Sequence, residues 1–133
     1  MYEENVETIR RLVDAFNAEG MAAATLDFFD PDAVFEEPPE QPGPTIAEGL
    51  DQVRSVFSKF DEAWEEHRSE IEEIRPLDHE RVLLLTVEHF RGRGDIEITQ
   101  PCGTLFTLRG GKVIRMLSFW ERDNALKAAG LAE

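Results

Sequence analysis

The sequence is poor in the groups that assign a function at sight. It holds one cysteine, Cys102, in 133 residues, which excludes an intramolecular disulfide and a thiolate metal cluster. Cationic side chains are scarce: 14 Lys and Arg stand against 28 Asp and Glu, a formal net charge of -14. That balance argues against a nucleic-acid phosphate backbone or an anionic membrane as partner. No run approaches the roughly 20 apolar residues of a spanning helix. The three histidines, His67, His79 and His89, lack metal-ligand spacing, so no metal site is expected. Repeats and low-complexity tracts are missing. Residues 1–5 are acidic rather than basic, so a signal peptide is not expected and cytoplasmic residence is the default reading.

What is present reads as one globular domain spanning 1–133, with 41% hydrophobic residues. Val6, Ile9, Leu12, Val13 and Phe16 recur at helical spacing, and Gly20 suits a stop. A short second helix fits 21–29 and a brief strand 33–37. Pro38, Pro39, Pro42 and Pro44 enforce a loop. Thr45 to Glu48 fits a capping box opening a third helix, whose stripe is Ile46, Leu50, Val53, Phe57, Phe60 and Trp64. The period then changes to that of strands, over 69–76, 81–91, 96–109 and 112–121. The breaks at 91–95 and 109–111 carry hairpin chemistry. A closing helix fits 122–129. Helices followed by hairpin-linked strands predict an α+β fold, with three N-terminal helices on one face of a curved, mostly antiparallel sheet and a short C-terminal helix. Such packing leaves a cone, a natural pocket for a small hydrophobic molecule.

Four stretches carry a family resemblance: Asn17-Ala18-Glu19-Gly20, the run from Phe28 to Pro38, Ile46-Ala47-Glu48-Gly49, and Leu108 to Val113. In this order the chain resembles the nuclear-transport-factor-2-like superfamily, and within it the SnoaL-like proteins. That superfamily hosts isomerases, cyclases, dehydratases, epoxide hydrolases and non-catalytic binders. Similarity to the ketosteroid isomerases implies that Glu37, before Pro38, is a proton-shuttling base, and that Met116 and Trp120 line the pocket. The oxyanion hole of that family does not carry over, because Leu12 and Thr104 stand at its Tyr and Asp positions. Ser118 likewise stands where the cyclase and epoxide-hydrolase branches carry an acid.

Strand parity selects further candidates. Gln100 and Thr104 share the inward face with Ile98, Cys102 and Phe106. A three-residue turn at 109–111 keeps Met116, Ser118 and Trp120 on it. If the other hairpin has two central residues, His89 points inward with Leu83, Leu85 and Val87; a loop one residue longer turns Glu88 and Thr86 inward instead. The first is the working expectation. It leaves Val82, Leu84, Phe90, Leu117 and Phe119 on an outer apolar face that a homodimer through the sheet would cover, as the resemblance also implies.

The expected constellation is Glu37 and His89 as catalytic groups, with Gln100, Thr104, Met116, Ser118 and Trp120 as substrate contacts. In an apolar cone Glu37 should titrate high and serve as a general base with no cofactor. Two functions stay open: a cofactor-free acid/base enzyme of isomerase, cyclase or dehydratase type on a small apolar oxygenated molecule, and a non-catalytic binding or dimerisation module.

Overall fold

In the computed structural model, residues 2–131 are described. The elements run α1 (Tyr2–Glu19), α2 (Met21–Phe28), β1 (Phe29–Glu36), β2 (Ile46–Glu48), α3 (Leu50–Ala63), β3 (Glu66–Pro76), β4 (Arg81–Arg91), β5 (Glu97–Arg109), β6 (Lys112–Phe119) and α4 (Arg122–Ala128). The strands form one sheet in the order β2-β1-β6-β5-β4-β3. Only the β1–β6 pairing is parallel. The fold is α+β of the nuclear-transport-factor-2-like type, with α1, α2 and α3 on the concave face of an open sheet.

The apolar stripe of α1 is buried: Ile9, Leu12, Val13 and Phe16 pack against Val82, Leu84, Phe106 and Leu108 of the strands. Phe57 of α3 lies at the centre of an edge-to-face cluster, with ring centroids 6.1 Å from Phe16, 5.9 Å from Phe29 and 5.0 Å from Phe35. Burying such a ring contributes roughly 1.5–3 kcal/mol, and edge-to-face geometry suits the ring quadrupoles.

Three local readings are corrected. The segment 46–48 is strand β2, not the first turn of a helix. Gly49 (φ 89°) precedes α3 and Gln52 accepts from the Glu48 amide (3.0 Å). Thr45 is drawn away from the expected cap because its hydroxyl and amide both bind Glu37. The β5–β6 turn has two residues, Gly110 and Gly111, both at positive φ, rather than three. A bulge past Thr107 restores the register, so Met116 still opposes Phe106 and Ser118 opposes Thr104. The β4–β5 loop holds five residues, 92–96, because Arg91 pairs with Glu97. Gly94 and Asp95 both take positive φ there, and the Gly92 amide closes the loop on Ile96 O (2.8 Å).

That longer loop reverses the expected parity of β4. Val82, Leu84, Thr86, Glu88 and Phe90 face the helices, while Leu83 and Leu85 face outward with Leu105 and Phe119. The expected outward set of Val82, Leu84 and Phe90 is therefore wrong. Part of the outer face is covered by the same chain: Ala125, Ala129 and Leu126 of the α4 segment pack on Leu83, Leu85 and Leu105. Gly103 permits that approach, since a Cβ there would lie 2.5 Å from the Ala125 Cβ.

Candidate active site in the cone

Between the three helices and the concave sheet lies a cavity of about 500 Å³. Its walls are chiefly apolar, with Phe57, Phe60, Trp64 and Phe90 among them. The polar groups occupy a stripe contributed by alternate residues of the strands, as the two-residue period of a strand requires.

Glu88 is at the centre of that stripe. Its Oε1 lies 2.6 Å from His67 Nε2 and accepts the Ser69 hydroxyl at 2.6 Å. His67 and Ser69 alternate along β3, and Ser69 is the register partner of Glu88. Burial raises the Glu88 carboxyl, but hydrogen bonds from His67, Ser69 and Thr86, together with attraction to His67, outweigh it and hold the group below its ordinary value. The His67 ring is sandwiched: it stacks on Phe90 (4.7 Å, 6°) and meets Phe60 edge-on at 5.0 Å. Asn17 fixes β3 here, accepting from the Ser69 amide (2.8 Å) and donating to its carbonyl (2.9 Å).

His89 is not in the cavity. It faces the opposite side of β4, with Nε2 2.9 Å from Glu70 Oε1 in a partly exposed pair. The cause is the five-residue loop, which puts Glu88 and not its neighbour on the concave face.

Glu37 lines the cavity mouth with Pro38 and Gln41. The Thr45 amide (2.9 Å) and hydroxyl both donate to its Oε1. Desolvation raises its carboxyl, but the Thr45 hydroxyl, Gln41 side chain and Thr45 amide lower it further, so the net shift is downward. The expected upward shift is thus reversed by local donors. Gln100 lines the cavity, yet its amide is spent on Trp120 O (3.0 Å) and Pro101 O (3.1 Å). Thr104, Met116 and Ser118 line it deeper in, and Trp120, 44% exposed, stands at the rim. Glu40 pins the proline-rich loop there, accepting from the Trp120 amide (3.0 Å) and Asn124 (2.7 Å). Cys102 also lines the cavity, and its thiol is pushed up to about 12 by burial and by the Glu88 and Glu40 charges, against an opposing pull from Arg122.

His67, Ser69 and the aromatic sandwich escaped the sequence reading. Their signal was the alternation of charged Glu66, Arg68 and Glu70 with His67, Ser69 and Ile71, masked by the general excess of acid. Among the described residues no group of three or more His, Cys, Asp or Glu could hold a metal ion, and no helix is long and apolar enough to cross a membrane.

The comparisons agree with this architecture. A protein from Jannaschia sp. CCS1 assigned as a SnoaL-like polyketide cyclase superposes with a TM-score of 0.77 at 22% identity, covering 99% of this chain and 94% of that one. Another assigned as a polyketide cyclase, from Sinorhizobium meliloti, gives 0.66 at 20% identity over 84% and 93%. A Catenulispora acidiphila protein with a ketosteroid-isomerase-like fold, crystallised with trimethylamine, gives 0.70 at 16% identity over 94% and 93%. At these identities the likeness is one of fold. A search of curated proteins gives no match. The sequence profile of the SnoaL-like domain matches residues 9–116, and on that match the chain belongs to the SnoaL-like domain family.

Proposed function

We propose that the cone binds a small apolar, oxygenated molecule and transfers a proton next to its carbonyl, as isomerisation, aldol-type cyclisation or dehydration requires. The observation that carries this reading is the Glu88–His67 pair set into a cavity of about 500 Å³ with aromatic walls. With Glu88 ionised, Nε2 of His67 carries the proton it donates, which leaves Nδ1 as the acceptor available to a ligand. Glu88 then orients His67 and stabilises the imidazolium formed when His67 takes a proton. His67 is thereby the base, the part expected of Glu37, and Glu88 is its orienting partner. Glu37 guards the mouth, and Thr104 and Ser118 supply hydroxyls for a substrate oxygen. No cofactor enters the scheme.

The test is deuterium exchange at the α-carbon of ketones from an enolisable panel. Exchange that falls by roughly 10²–10⁴ in Glu88→Gln and His67→Asn supports the reading. Binding with exchange equal in wild type and both variants makes the protein a non-catalytic binder. A homodimer is proposed for the part of the convex face that α4 leaves open, near the partly buried Val87 and Leu117. Sedimentation at micromolar concentration decides it, and a monomer removes it.

A further inference from the structure

The described residues lining the cavity include two carboxylates, Glu37 at the mouth and Glu88 on β4, and no lysine or arginine. Local donors hold both acids toward their ionised form. His67 is the one lining residue able to carry positive charge, and its Nε2 is already on Glu88. Even with His67 protonated, one positive charge faces two negative ones. Arg122 approaches from the convex side, but it donates to Thr86 O (2.6 Å) and is paired with Glu72. An anion brought into this enclosure would be desolvated with no cation to meet it, which is costly. A cation would meet ionised carboxylates and a wall that includes the aromatic rings of Trp64, Phe60 and Trp120, groups that attract cations.

We propose that the cone selects its ligand by charge: it admits apolar molecules that are neutral or carry a protonated amine, prefers the amine, and refuses carboxylates. This rests on the cavity of the proposed function but not on its proton-transfer step. The chain's net charge of -14 also repels anions from a distance, but salt screens that field over about 3 Å at 1 M ionic strength. Selection that survives high salt therefore comes from the cavity.

The experiment uses three probes on one ring system: 2-naphthylmethylamine, 2-naphthylmethanol and 2-naphthoate. Each is titrated by calorimetry into the intact wild-type chain at pH 7, with and without 1 M NaCl. The expected order is amine tightest, then alcohol, with the carboxylate at least tenfold weaker than the alcohol at both salt levels. A carboxylate as tight as the alcohol, or an amine weaker than the alcohol, overturns the proposal. Glu37→Gln and Glu88→Gln, with folding checked by circular dichroism, should each narrow the amine-to-carboxylate ratio. A ratio unchanged in both overturns it too. If proton exchange fails while the charge order holds, only the catalytic reading falls. If none of the probes binds at millimolar concentration, both fall.

Discussion

The two faces of β4 are built from alternate residues of one segment and have opposite fates. The convex side is filled at one end by the chain itself: Leu83 and Leu85 lie under the α4 segment, and Gly103 lets the helix approach closely. The concave side is filled by Val82 and Leu84 at one end, then opens at Thr86 and Glu88 into the cavity. Burial by itself therefore does not mark function. What sets the concave face apart is a partly buried acid with three donors facing unfilled space, one residue from a histidine that faces outward.

The strongest test of that contrast is a pair of substitutions. His67→Ala should lower proton exchange by up to roughly 10⁴-fold, whereas His89→Ala should leave it within about twofold, because the partly exposed Glu70 pair acts only weakly. Equal losses would mean that the two faces are not functionally distinct. The next effect is on Cys102. With its thiol pushed up to about 12, alkylation by iodoacetamide at pH 8 should run roughly 10³-fold slower than in the urea-unfolded chain. Glu88→Gln should speed it, since the Glu88 charge is one cause of the shift. Comparable folded and unfolded rates would show that the thiol is not desolvated, and a folded rate unmoved by Glu88→Gln would show the cavity carboxylate to be uncharged or distant.

On the filled face, Gly103→Ala should cost about 1–3 kcal/mol in chemical denaturation, because its methyl would overlap Ala125. Thr104→Ser, one residue on and facing the cavity, should cost less, since it removes only a methyl group beside open space. The smallest expected effect is on pH dependence. Glu88 titrates lower in the fold than its ordinary 4.5, so its contribution is complete above that value and is lost as pH falls through the folded-state pKa. Glu37 and Glu40 shift the same way. Glu88→Gln should flatten the acid limb of the stability curve; a limb unchanged by that substitution would show that the acid is not held by its three donors.

Much of the fold was legible because it rests on periodicity. The α1 stripe, the strand at 81–91 and the closing helix follow from side chains repeating at 3.6 or 2 residues. The inward placement of Gln100, Thr104, Met116, Ser118 and Trp120 was legible for the same reason, although Gln100 proves to be spent on backbone carbonyls. The β5–β6 turn shows how a face can be read correctly for the wrong reason, since the two-residue turn and the bulge offset each other. Glu37 does line the cavity, but its titration runs opposite to expectation because the Thr45 donors arrive from the residue just before β2, eight residues away, where the sequence suggested a helix cap.

The sequence by itself determined the α+β layering, the apolar inner wall and the acidic exterior, because amphipathic period and composition are local properties. Only the tertiary structure decided which acid meets which histidine. A strand's faces exchange with every one-residue change in a connecting loop, and the loop at 92–96 has five residues where two were expected. That difference moved Glu88 inward to His67 and turned His89 out to Glu70.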